Sequence, residues 1–250
     1  MHQFFSRLIL LLTLAASVAH GQQYPQPVSE MSRQQFPYSM VGLLDFFSGS
    51  RIYTASGTVI AERTVLTAGH NLFDRRAGWS TDLLFLRAYH QGEAADEGQI
   101  ASRIFVLGGY RPSVKRYGGN SFLAFASDLG LLRFTEPAGA GGHAGWTADR
   151  ALLEANIDKV ALGYGAEDHD GEELLSVGTS SPFEKVFGAF LESDSLYFEG
   201  GMSGGPLFSR TTAGDLTITG VIVSGSVQPV SGGIRSLNPT AARLIYRYGQ

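Results

Sequence analysis

Residues 40–70 read MVGLLDFFSGSRIYTASGTVIAERTVLTAGH. Three β-prone runs follow one another here, MVGLLDFF (40–47), RIYTASGTVI (51–60) and TVLTA (64–68), with turn residues such as Gly49 between them. The pattern continues outward. LLFLRAY (83–89), RIFVLG (103–108) and LGLLRF (129–134) complete a first block. KVALGYG (159–165), ELLSVGT (173–179), KVFGAFLE (185–192), GPLFSR (205–210), LTITGVIVSG (216–225) and GGIRSL (232–237) form a second. Between the blocks, Glu136–Trp146 holds Pro137 and the Gly/Ala-rich PAGAGGHAG, a natural connection. Short strands without alternating long helices point to an all-β chain of paired barrels rather than an α/β sheet. The 32 glycines among 250 residues agree, because short strands need many tight turns. One long helix is expected at the end: Asn238 can cap it, Pro239 suits the first helical position, and TAARLIYRY follows. A second, short helix is expected around Asp149–Asn156.

Composition removes several classes of function. An apolar fraction of 44% against 17% charged residues fits a packed chain, not a disordered one. A formal charge of −4 offers no basic field for nucleic acid. With no cysteine, disulfides, thiolate metal sites and a cysteine nucleophile are excluded. The acidic run Glu167-Asp-His-Asp-Gly-Glu-Glu173 lacks the ligand spacing of an EF-hand and reads as a solvated loop.

The first residues, MHQFFSRLILLLTLAASVAHG, place Arg7 before the apolar run Leu8–Ala19, with Ser17 and Ala19 at −3 and −1 of a cleavage point. That is the layout of a secretory signal peptide, and 12 apolar residues fall short of the roughly 20 that span a bilayer. The expected divisions are therefore a signal peptide at 1–19, a flexible segment or short propeptide at 20–37, a first barrel at 38–136, a connection at 137–157, a second barrel at 158–237 and the helix at 238–250. The mature chain is expected to be exported, free of stable membrane association and monomeric.

Chemistry concentrates at Ser203, in Glu199-Gly-Gly-Met-Ser-Gly-Gly-Pro-Leu-Phe208. Four glycines let the backbone turn sharply and admit a substrate carbonyl, so the Gly201 and Ser203 amides can face one oxyanion. A serine hydroxyl needs a base to take its proton, and the base an acid behind it. His70 ends TVLTAGH and Asp128 opens the apolar run of SDLGLLRF.

TVLTAGH, SDLGLLRF and GMSGGPLF, in this order and 58 and 75 residues apart, resemble the three catalytic segments of trypsin/chymotrypsin-like serine peptidases. Ala55-Ser-Gly-Thr-Val-Ile60 is similar to the strand that precedes the histidine in that family. The resemblance covers residues 38–240 and looks closest to the bacterial glutamyl-endopeptidase-like branch. It implies two antiparallel six-stranded β-barrels with the active site between them. It also implies Ser203 as nucleophile, His70 as general base, Asp128 as its orienting carboxylate, the Gly201 and Ser203 amides as oxyanion hole, protein or peptide substrates, and no cofactor or metal.

Two rival readings were open. Gly201-Met-Ser-Gly-Gly205 also fits the G-x-S-x-G elbow of α/β-hydrolases, but Pro206 is a poor helix start and no histidine follows Ser203. A catalytically silent binding protein on the same scaffold is the remaining alternative, since a fold does not guarantee activity. The chain also departs from the family. Met202 stands where animal members carry the aspartate that pairs with a newly cut N-terminus. The resemblance puts the specificity pocket between 196–200 and 220–226, with Tyr197 at its base. Ile222 then falls where glutamate-specific members carry a histidine, and Val223 or Ser224 beside the triad, with Gly225 following. Strict specificity for Glu or Lys/Arg is not expected; small or apolar side chains are favoured.

Overall fold

The computed structural model describes residues 22–139, 142–167 and 169–249, so the expected signal peptide lies outside the described residues. Two curled antiparallel sheets carry the chain, with the helix Pro239–Tyr248 at its end. In the first sheet, Val41–Ser48 lies between Arg51–Ala61 and Thr81–Arg87, and Arg51–Ala61 passes the sheet on to Thr64–Thr67, Gly130–Arg133 and Arg103–Val106. Gly42 faces Gly57 in this register. A Cβ on Gly42 would stand 2.5 Å from the Phe85 ring, so the bare backbone is what lets that ring cover the strand pair. Leu44, Val59, Val65, Leu72, Phe85 and Leu132 fill the space inside.

The second sheet runs from Leu174–Thr179 through Lys159–Tyr164, Pro206–Arg210, Leu216–Val227 and Val230–Ser236 to Phe190–Ser193 and Glu184–Phe187. Its interior packs Ala161, Leu175, Leu191, Met202, Leu207, Ile222 and Ile234. A third cluster joins the two sheets: Val41, Leu66 and Leu131 from one meet Leu162, Phe208 and Val221 from the other. Each fully buried side chain of this kind is worth roughly 1.5–3 kcal/mol, so a continuous apolar interface can fix the sheets to each other without disulfides. The terminal helix closes the joint. Asn238 Oδ1 accepts from the Ala241 N–H, Ala241, Leu244 and Ile245 are buried, and Tyr248 stacks on Phe105 of the first sheet.

The structure differs from the sequence expectations in four places. The sheets hold seven and eight strands rather than six each, because short edge strands such as Gln26–Pro27 and Gln99–Ile100 join them. KVFGAFLE is not one strand but a hairpin, turned at Gly188 with φ +58°. Residues 108–120, where no helix was expected, contain the helix Tyr110–Tyr117. Within 20–37, expected to be flexible or a short propeptide, part of the chain is tied to the second sheet: Gln26–Pro27 pairs with Leu175 and Ser176, and the Gln23 N–H donates to the Ser195 carbonyl. The short helix near 150 is present as Ala151–Glu154.

Candidate active site

Thr64–Thr67 ends at Ala68, and a single turn of 3₁₀ helix, Gly69–Asn71, swings His70 over the seam between the sheets. Asp128 stands just before Gly130–Arg133, the strand that pairs with Thr64–Thr67. Antiparallel pairing thus brings the two together. The His70 N–H donates to Asp128 Oδ1 at 2.8 Å, and Nδ1 lies 2.7 Å from Oδ2. An ionised carboxylate only accepts, so Nδ1 carries the proton and Nε2 keeps its lone pair for the cleft. Asp128 is 1% exposed and the imidazole 34%. Burial disfavours the imidazolium, yet the Asp128 charge and hydrogen bond outweigh it and hold His70 above its ordinary value. The helix Tyr110–Tyr117 backs the pair. Tyr110 is buried and reaches so close that a Cβ on Gly69 would stand 3.0 Å from Asp128 Oδ1 and 3.1 Å from the Tyr110 ring, which accounts for TAGH with glycine before the histidine. Arg111 lies over Phe73 and Trp79, pinning the helix to the histidine loop.

Ser203 sits in the loop between Phe190–Ser193 and Pro206–Arg210. Its carbonyl, not its hydroxyl, is the anchor: it accepts from the Ser56 N–H at 2.9 Å and from Asn71 Nδ2 at 3.1 Å. Asn71 also donates to Thr67 Oγ1, which donates to the Ser56 carbonyl. Gly204, φ +88°, presses on these groups, and a Cβ there would lie 2.2 Å from the Ser56 carbonyl oxygen and from Thr67 Oγ1. The Ser203 loop is therefore clamped to the strand and turn that carry His70. Ser56 adds a second tie, its hydroxyl donating to the Gly201 carbonyl at 2.9 Å and accepting from the Tyr164 N–H at 2.8 Å.

The orientation of the amides follows from these ties. The Gly200 carbonyl accepts from the Ala166 N–H at 2.6 Å. In a trans peptide the N–H points opposite to the carbonyl, so the Gly201 N–H is directed away from Ala166. Among the described residues neither the Gly201 nor the Ser203 N–H has a protein acceptor. His70, Asp128, Gly201, Ser203 and Val223 line one cleft of about 670 Å³. Among the described residues the Ser203 hydroxyl makes no hydrogen bond, to His70 or to any other group.

A second pocket of about 260 Å³ opens beside Ser203, lined by Glu167, Tyr197, Gly200, Ile222, Ser224 and Gly225 among others. A bulge between Ile222 and Ser224 places Val223 in the cleft with His70 and Asp128 and leaves Ser224 in the pocket, which separates the two positions that the sequence left open. A Cβ on Gly225 would lie 1.9 Å from the Phe198 carbonyl oxygen, so the walls touch there and limit depth. Tyr197 donates its hydroxyl to Glu167 Oε2 at 2.7 Å. Glu167 is the residue that sequence reading missed, because it reaches the pocket from a loop 30 residues before the wall it joins. Arg235, fully buried behind the site, was missed as well. Burial lowers its guanidinium to about 10 while the Asp128 charge opposes that fall, so it stays a cation at neutral pH.

The sequence matches the Trypsin family over residues 28–236. Solved structures that share the fold include three peptidases. A Glu endopeptidase in complex with MPD has TM-score 0.71 at 16% identity, covering 90% of this chain and 97% of its own. Protease Anisep from Arthrobacter nicotinovorans has TM-score 0.66 at 20% identity, covering 89% and 96%. A thermostable serine protease, AL20, from an extremophilic microorganism has TM-score 0.66 at 19% identity, covering 84% and 96%. Comparison with curated proteins gives no match.

Proposed function

The chain belongs to the trypsin family, and from that premise we propose that it is an exported serine endopeptidase acting through His70, Asp128 and Ser203. The observation that carries this reading is the convergence on one cleft of an Asp128-bound imidazole, Ser203 and two amides without protein acceptors. Ser203 Oγ attacks the scissile carbonyl carbon as its proton passes to His70 Nε2. Asp128 holds the tautomer and stabilises the imidazolium without taking the proton. The oxyanion receives the Gly201 and Ser203 N–H groups. His70 then returns the proton to the leaving amine, which departs and leaves an acyl ester on Ser203. Water, deprotonated by His70, attacks that ester, and collapse releases the acid and restores the serine. No step calls for a metal or cofactor.

Substrates are proteins or peptides with a small or apolar side chain next to the cleaved bond. The contact of Gly225 with the Phe198 carbonyl favours short side chains, and the Glu167 carboxylate repels an acidic one. Export rests on the leader at 1–19, with cleavage after Ala19 taking the formal charge from −4 to −5 by removing Arg7. The mature protein is proposed to act as a monomer; among the described residues no helix is long and apolar enough to cross a membrane.

The unbonded Ser203 hydroxyl favours a second reading, a silent peptidase scaffold used for binding. Catalytic hydrogen bonds often tighten only in the substrate complex, so geometry alone does not decide against catalysis. Hydrolysis of a casein or peptide-library substrate that disappears in Ser203→Ala supports the peptidase; equal rates in both proteins sink it.

A further inference from the structure

The residue before the nucleophile, Met202, is wholly buried among apolar side chains and brings no charge to the loop. The nearest buried charge along the chain is Glu199, 3% exposed, at the first position of the turn. Its Oε1 accepts from the Glu167 N–H at 2.8 Å and its Oε2 lies 3.0 Å from His169 Nδ1. Both partners belong to the loop that starts at Gly165, where a Cβ would lie 2.6 Å from Glu199 Oε1. The loop is thus seated directly on the carboxylate. The same loop supplies the Ala166 N–H that holds the Gly200 carbonyl. Close packing completes the seat, since a Cβ on Gly201, φ +96°, would stand 2.5 Å from the Tyr164 carbonyl oxygen and 2.8 Å from the Ala166 nitrogen.

We propose that Glu199 is a positioning residue for the oxyanion hole: by holding Glu167 and His169, the neighbours of Ala166 along the chain, it keeps the Gly200 carbonyl on Ala166 and the Gly201 N–H turned into the cleft. Without the carboxylate, the loop loses both ties, and the 200–201 peptide can rotate so that its carbonyl, not its N–H, faces the substrate. That exchange costs one oxyanion donor, a loss felt by a tetrahedral adduct far more than by ground-state binding in the pocket, which Glu167 and Glu199 also line. The inference rests on the peptidase reading and adds to it a residue that acts through the backbone amides.

The test uses the mature protein and two variants. Glu199→Gln keeps the shape and one acceptor for the Glu167 N–H but replaces the carboxylate facing His169; Glu199→Ala removes both ties. Loss of one oxyanion donor costs about 10²–10³ in kcat, so Glu199→Ala is expected near that range and Glu199→Gln about tenfold down, each with KM within about threefold. A peptide boronate, which forms a tetrahedral adduct on Ser203, should weaken in parallel with kcat/KM. A peptide whose last residue carries hydrogen in place of its carboxyl group, which fills the pocket without reaching the oxyanion hole, should weaken far less than the boronate. Where Glu199→Ala fails to fold, Glu199→Gln decides alone. Variants with kcat and boronate affinity within twofold of wild type overturn the inference, as does equal weakening of the boronate and the peptide that lacks the carboxyl group. A wild-type protein without Ser203-dependent hydrolysis is a different result, the failure of the peptidase reading itself.

Discussion

Ser56→Ala tests how the two sheets cooperate at the site. The Ser56 hydroxyl is fully buried and satisfies two backbone groups of the second sheet region, donating to the Gly201 carbonyl and accepting from the Tyr164 N–H. Alanine fits the space but strands both groups. An unsatisfied buried polar group costs about 1–3 kcal/mol; the Tyr164 N–H is buried and the Gly201 carbonyl, at the cleft edge, is part-buried, so the expected loss is about 2–4 kcal/mol, with 3 kcal/mol a central value. For a chain of this size roughly 2–4 °C of Tm corresponds to each kcal/mol, giving a fall of about 6–12 °C by calorimetry. Urea unfolding should show a lower midpoint at unchanged slope, because the surface exposed on unfolding is the same. The freed Gly201 carbonyl also loosens an oxyanion donor, so kcat should fall about tenfold or more, below the 10²–10³ of losing the donor outright. A variant that melts within 1 °C of wild type with the same kcat would refute the argument that this hydroxyl ties the sheets through the active site.

Three further outcomes are expected. Asp128→Asn should leave the fold intact, by circular dichroism and Tm, and lower kcat by about 10⁴, because an amide facing Nδ1 favours the wrong tautomer; a loss under tenfold would contradict the assigned role. Catalysis needs neutral His70, and its value is raised, so kcat/KM should climb with pH through a midpoint above the ordinary 6.5, dropping tenfold per unit below it; a midpoint under 6.5 would mean burial outweighs Asp128. Peptide profiling should show alanine or valine preferred to glutamate before the cut, with Glu167→Gln narrowing the gap; strong preference for glutamate in the wild type would overturn the reading of the pocket charge.

Much of the frame was legible because its signals are local. Thr64–Thr67 and Gly130–Arg133 are short apolar runs between turn residues, and the cap Asn238-Pro239 announces the last helix directly. The helix Tyr110–Tyr117 was not, because Pro112 and flanking glycines hide it and tertiary packing forms it: Tyr110 and Val114 are buried beside the histidine loop, and Arg111 covers Phe73 and Trp79. The hairpin within 184–193 was hidden by one glycine, whose positive φ no periodicity reports. At the site, the residues with a motif stood out, whereas the groups that position them did not. Ser56 meets Gly201 across 145 positions of sequence, and Glu199 meets His169 across 30, so neither pairing leaves a local trace. Val223 and Ser224 could not be told apart because a single bulge decides which of them lines the cleft with His70 and Asp128.

Activation of Ser203 as a nucleophile by His70 is tested by incubating the mature protein with a fluorophosphonate probe and sequencing the labelled peptide by mass spectrometry. One adduct is expected, on Ser203, lost in His70→Ala while that variant keeps its fold. A folded wild type that takes no label, or takes it equally in His70→Ala, would contradict that activation.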